Sequence, residues 1–198
     1  MEFEKVSSYI QEVLKTQLSP LLQYHSYDHT MLVLKSAVEI ASIELIHNKE
    51  DLIILKTAVL FHDCGFLKTY EKNTEEEACI VARKNLLNFN YSTNQIEIIC
   101  NLIMKTKVPQ SPSTLLEKIL CDADMYYLGD DDYENISDGL FLELNSYGKN
   151  IGVKDWLEIQ INFIASHHYW TNSCILNLEA KKQENLFRLK SVFSTLKQ

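Results

Sequence analysis

Apolar positions recur at helical spacing along almost the whole chain, and one stretch departs from the usual one-sided pattern. From Leu52 to Phe61 apolar residues run nearly all the way round the helix, with Lys56 the lone charge before the end. A helix of that kind belongs inside a bundle, covered by neighbours on every side. Its last turn nevertheless carries His62 and Asp63, followed by Gly65, a residue able to end a helix. Burying a carboxylate costs on the order of several kcal/mol unless it is paired or binds a metal. The pair therefore calls for partners from elsewhere in the chain.

The flanking patterns are amphipathic helices. Residues 2–18 place Phe3, Val6, Ile10, Val13, Leu14 and Leu18 on one face and end at Ser19-Pro20. Residues 28–47 follow, with Met31, Leu34, Val38, Ala41 and Leu45 as the expected inner stripe and His29 in the first turn. Asn48-Lys49-Glu50-Asp51 is a polar turn in which Asp51 is a candidate cap for the apolar helix. After a polar excursion at 68–73, Thr74 reads as an N-cap with Glu75, Glu76 and Glu77 in the first turn, where the helix dipole favours acids. That helix runs to about residue 88, and others are expected at 93–107, 113–127, 133–147, 154–170 and 176–197. Period-two alternation, internal repeats, linkers and low-complexity tracts are missing from the pattern. The expectation is an all-α single domain covering residues 1–198, a helical bundle.

Composition narrows the function. Five glycines and three prolines are too few for the turns of a sandwich or barrel, and 46% hydrophobic residues over 198 positions suffice for one substantial core. A net charge of -8 without a Lys/Arg-rich stripe argues against nucleic-acid binding. An acidic protein that handles phosphate needs a local positive centre, and a metal would supply one. Cys64, Cys79, Cys100, Cys121 and Cys174 are odd in number, widely spaced and set in apolar helical patterns, which fits reduced core thiols. Neither a signal-peptide pattern nor an apolar run near ~18 residues is seen, so a cytoplasmic protein without a membrane partner is expected.

The sharpest chemical set is His29, His62, Asp63 and one of Asp122 or Asp124. Imidazoles and carboxylates together suit a divalent transition ion, and all come from helix ends where side chains can converge. Helical phase does not choose between Asp122 and Asp124, since both flank the apolar face of Leu116, Ile119, Leu120 and Ala123. Asp122 also has Lys118 one turn back, which reads as an ordinary surface pair.

The order of these residues on helices resembles the HD superfamily of metal-dependent phosphohydrolases. The segments that carry the resemblance are Tyr24-His25-Ser26-Tyr27-Asp28-His29-Thr30, Leu60-Phe61-His62-Asp63-Cys64-Gly65-Phe66 and Leu120-Cys121-Asp122-Ala123-Asp124. Glu75-Glu76-Glu77-Ala78 and Ile103-Met104-Lys105-Thr106-Lys107 also look like small bacterial HD proteins, so the similarity covers roughly residues 20–170. It implies that His29, His62, Asp63 and Asp124 hold one divalent metal ion (Mn, Fe, Co, Ni, Zn or Mg). A bound ion would lower the pKa of its water and offset charge on a phosphoryl oxygen, with Asp63 orienting the water. The implied substrate is a small phosphorylated molecule such as a nucleotide, cleaved as a mono- or diester.

Other residues carry weaker expectations. His25 lies four positions before His29, where the phosphodiesterase branch has a general acid. Lys105 and Lys107 close a helix, where a cation suits the dipole, and Lys105 is the candidate phosphate contact. His167 continues the expected inner face of Trp156, Ile159, Phe163 and Ile164, as a core histidine or a pocket wall, beside His168, Tyr169 and Trp170. Thr74 stands where related proteins often have histidine, which weakens the case for a second metal. Phe66 stands where the cyclic-dinucleotide branch has lysine. Two other readings use the same fold: a non-catalytic nucleotide sensor, and a di-iron oxygenase needing further histidines. The charged last helix, with Lys181, Lys182, Glu184, Arg188 and Lys190, is either a solvated face or a contact in a homo-oligomer.

Overall fold

The computed structural model describes residues 1–196. Its helices are α1 (Phe3–Gln17), α2 (Tyr27–Ile43), α3 (Lys49–Phe61), α4 (Thr74–Leu86), α5 (Thr93–Met104), α6 (Leu115–Asp124), α7 (Tyr133–Ser146), α8 (Val153–Ser166) and α9 (Asn172–Thr195). Short 3-10 turns at Cys64–Leu67, Leu87–Phe89 and Tyr126–Gly129 join them, and no strand occurs among the described residues. The fold is all-α. The expected end of the last helix at Lys197 lies outside the described residues.

The apolar stretch is the hub. α3 packs against α1, α2, α4, α5 and α6, and Ile54, Leu55, Ala58, Val59, Leu60 and Phe61 are buried. Its N-cap is Asn48, whose side chain accepts from Glu50 N at 2.8 Å, rather than Asp51. The α4 cap also differs from expectation. Asn73, at φ 62, occupies the N-cap position without a side-chain bond, and Thr74 is the first helical residue. Gly65 does not end α3, which stops at Phe61. It is needed because α4 crosses there: a Cβ on Gly65 would lie 1.9 Å from the Thr74 carbonyl oxygen.

α2 is shorter and turned relative to the sequence expectation. Val33, Ala37, Ile40 and Ala41 face inward with Thr30 and Ser36, whereas Val38 and Leu45 are exposed. The small residues let α2 lie closely on α3 and α6. Leu45, at φ 61, stops the helix. Ile46 N donates to Ala41 O at 2.9 Å and Leu45 N to Ser42 O at 3.3 Å, the Schellman pattern with leucine where glycine is usual.

Two cores result. One joins α1 to α6 with Cys174 and Leu178 of α9. The other gathers Tyr24, Met125, Tyr127, Leu128, Tyr133, Leu157 and Ile164 with Leu186 and Leu189 of α9. In α8 the buried face is Trp156, Leu157, Gln160 and Ile164, while Ile159 is exposed, contrary to the expected stripe. All five cysteines are buried and free.

Candidate metal centre

Helix ends bring the polar set together. Ser26 caps α2 by accepting from His29 N at 3.2 Å, which fixes His29 in the first turn. His62 is the C-cap of α3, Asp63 follows it, and Asp124 is the last residue of α6. His62 is 2% exposed, His29 8% and Asp124 9%. Asp63 Oδ2 lies 3.1 Å from His62 Nε2 and 3.4 Å from His29 Nε2. Asp124 Oδ1 lies 3.5 Å and 3.4 Å from the same two nitrogens. Ligand atoms of His29, His62 and Asp124 all fall within 4.8 Å of one another.

The tautomer of His62 is set by its backbone partner. Nδ1 stands 2.7 Å from Val59 O, which can only accept, so Nδ1 carries the proton and Nε2 presents a lone pair in the neutral ring. Burial disfavours a charged His62, yet the Asp63 and Asp124 carboxylates push its pKa well above the usual imidazole value. Burial likewise opposes ionisation of Asp63 and Asp124, but the neighbouring imidazoles hold both carboxyls below their ordinary range. His29 Nε2, His62 Nε2 and Asp63 Oδ2 are buried without a hydrogen-bond partner. Three orphaned atoms on one point, two of them imidazole nitrogens, fit a divalent cation.

The HD domain family model matches residues 26–127, more than half of the chain. The chain belongs to the HD domain family. No curated protein and no solved structure matches it. HD domains bind divalent metals and are mostly metal-dependent phosphohydrolases, and the His29–His62–Asp124 cluster is a candidate site of that kind.

Asp122, the other aspartate of the HD segment, is no surface residue. It is fully buried and accepts from Trp170 N at 2.9 Å, Thr171 N at 2.7 Å and Thr171 Oγ1 at 2.7 Å. Its carboxylate anchors the start of α9 instead of pairing with Lys118.

His25 stands beside the cluster, its ring centroid 6.2 Å from that of His29. Its Nδ1 lies 2.5 Å from Glu143 Oε1, and Glu143 Oε2 accepts from Tyr24 N at 2.8 Å and His25 N at 3.0 Å. Burial opposes the charged imidazole, yet the Glu143 bond and nearby carboxylates raise its pKa. Phe66 stacks on the ring at 4.0 Å. Glu143 was not anticipated. Its one signal is a lone acid inside Leu140-Phe141-Leu142-Glu143-Leu144, on a helix outside the matched segment.

The remaining candidates make other contacts. Lys105 donates from Nζ to Ser111 O at 2.9 Å, and Lys107 pairs with Glu76 at 2.7 Å on the surface. His167 is partly buried at the end of α8, its Nδ1 3.5 Å from the Nζ of buried Lys182. Burial and that ammonium push its pKa down to about 4. His168 is exposed against Trp170, with ring centroids 4.2 Å apart. Among the described residues no helix is long and apolar enough to cross a membrane.

Proposed function

We propose that this protein is a metal-dependent phosphohydrolase that cleaves a phosphate mono- or diester of a small molecule such as a nucleotide. The convergence of buried, unpartnered His29 Nε2, His62 Nε2 and Asp63 Oδ2 with Asp124 carries the reading. These four residues would hold one divalent ion. Such an ion activates water and offsets charge on a phosphoryl oxygen.

The protein's own groups supply the rest. Val59 O keeps the His62 proton on Nδ1, leaving Nε2 free to ligate. Asp63, the most exposed of the four, can accept a proton from water at the centre's rim. Glu143 raises the pKa of His25 against the effect of burial and fixes its ring, which suits His25 to donate a proton to the leaving oxygen. Lys105, whose ammonium donates to Ser111 O, is given no role in this reading.

The test is elemental analysis together with turnover of bis(p-nitrophenyl) phosphate and a nucleotide panel under Mn, Fe, Co, Ni, Zn and Mg. The expected result is about one ion per chain and metal-dependent release of product. Asp124→Asn should lose the ion and at least ~100-fold in kcat, in line with removal of a metal ligand. An ion bound without turnover across the panel would turn the reading to a sensor.

A further inference from the structure

α4 and α5 form a hairpin whose facing residues run in opposite directions: Cys79 meets Cys100, and Arg83, one turn on, meets Glu97. Small buried residues on α4, Ala78, Cys79 and Ala82, let the two backbones lie close. Cys79 Sγ lies 3.5 Å from Cys100 O, and Cys100 Sγ lies 3.8 Å from Cys79 O. Each thiol therefore reaches across the hairpin to the other's backbone, and the two sulfurs are hydrogen-bond partners of one another. Neither residue belongs to the candidate metal centre, and the phosphohydrolase reading gives them no role.

The other three cysteines are placed differently. Cys64 donates to Leu60 O at 3.5 Å and Cys121 to Lys105 O at 3.1 Å, while Cys174 sits beside Thr171 and Asp122. Burial pushes all three of these thiols up. In the hairpin the pair behaves otherwise. The Cys79 S–H and the Arg83 guanidinium make Cys100 ionise more readily, against burial and the Glu97 carboxylate. The same thiol–thiol bond, with burial, keeps the proton on Cys79. A thiolate is the nucleophile in thiol chemistry, and a neighbouring thiol turns its first oxidation product into a disulfide. Cys79 is 3% and Cys100 1% exposed, so only a small reagent can reach them. Arg83 and Glu97 stand over the hairpin at the surface, and an exposed ion pair of this kind adds little resistance to opening.

We propose that Cys79 and Cys100 are a redox modification site, oxidised by a small peroxide to a disulfide that ties α4 to α5. The Cys100 thiolate attacks one peroxide oxygen, the O–O bond breaks, and the other oxygen leaves as water after taking a proton. Cys100 is then a sulfenic acid. The Cys79 sulfur displaces the sulfenic hydroxyl, which leaves as water with the Cys79 proton, and the S–S bond forms. Two electrons pass from the two sulfurs to the peroxide, giving one disulfide and two waters. A dithiol reductant reverses the change. The proposal stands apart from the phosphohydrolase reading and needs no metal.

The test treats the full chain, reduced and held in EDTA, with hydrogen peroxide, then blocks free thiols with iodoacetamide in denaturant and digests for mass spectrometry. The expected product is a peptide linking Cys79 to Cys100, with Cys64, Cys121 and Cys174 still alkylated, and the link should disappear on adding dithiothreitol. Cys79→Ser should leave Cys100 as a sulfenic acid that dimedone captures. Cys100→Ser should slow oxidation of Cys79 by about tenfold. Should either variant not fold, the unaltered chain decides alone: peroxide in urea, where the hairpin is lost, should spread oxidation over all five cysteines. Five intact thiols in the folded chain after peroxide overturn the proposal. So does a Cys79–Cys100 link no more frequent than links among the other cysteines, or a selectivity that is the same in urea as in the folded chain.

Discussion

Glu143 ties His25, the proposed proton donor, to the backbone that presents it. Its two oxygens hold Tyr24 N, His25 N and His25 Nδ1, so one buried carboxylate sets both the ring's orientation and its charge. Because the pKa of His25 is raised, its protonated form persists to higher pH, and an activity that needs it declines only as pH rises through that raised value. Glu143→Gln keeps the shape and removes the charge, so the alkaline limb of the kcat/KM profile should move to lower pH. An unmoved limb would mean that His25 does not donate the proton. Stability has the opposite sign. The Glu143 pKa is lowered, against burial, by His25 and the two amides, so its stabilisation is present above the ordinary carboxylate value of about 4.3 and fades as pH falls through the lowered one. Urea midpoints of Glu143→Gln should therefore drop less between neutral and acid pH than those of the unaltered chain. The sequence could point to His62 and Asp63, because helix-end residues with unusual burial costs stand out in an apolar pattern, and the family resemblance joined His29 and Asp124 to them. It could not separate the roles of Asp122 and Asp124 by phase, since both are buried and only their distant partners differ. For Glu143 and Gln160 the partners lie at Tyr24–His25 and at Tyr133 and Ser137, and a linear pattern reports no such pairing.

At the level of elements, existence and order were readable, while faces and ends were not. α2 shows why. Large apolar residues at helical spacing suggested a stripe through Val38 and Leu45, but close packing against α3 and α6 selected the face with Ser36 and Ala37, which keeps Ala41 of the expected stripe. Its end is set by a backbone pattern that leucine rarely adopts, so no glycine marked it. A left-handed conformation costs an L residue roughly 1–2 kcal/mol, and Leu45 is 68% exposed, so little burial offsets that cost. Leu45→Gly should accordingly raise stability by about 0.5–1 kcal/mol, after allowing for the greater freedom of glycine in the unfolded chain. Chemical denaturation with an unchanged m-value checks it, and a loss of stability would show that Leu45 makes contacts the helix end needs.

Across the whole molecule, the question is whether two cores behave as one unit. α9 passes from the first, with Cys174 and Leu178, to the second, with Leu186 and Leu189, and it is 24 residues long. Gly129 sits under it so closely that a Cβ would come within 2.7 Å of Leu178. Asp122 fixes its beginning from inside α6, two residues before the candidate metal ligand Asp124. The same short helix therefore holds the candidate metal centre on one side and the bridging helix on the other. We propose on this basis a single folding unit that melts in one transition. Asp122→Ala would strand the Trp170 and Thr171 donors in the interior, a loss of about 1–3 kcal/mol for each unsatisfied group, or on the order of 10 °C in a chain of this size. If the cores are one unit, calorimetry of the variant shows one transition displaced as a whole, with calorimetric and van't Hoff enthalpies equal. A variant in which a second transition splits off at low temperature, while the remainder melts as before, would show that α7 to α9 form a separate lobe docked on the metal-binding bundle.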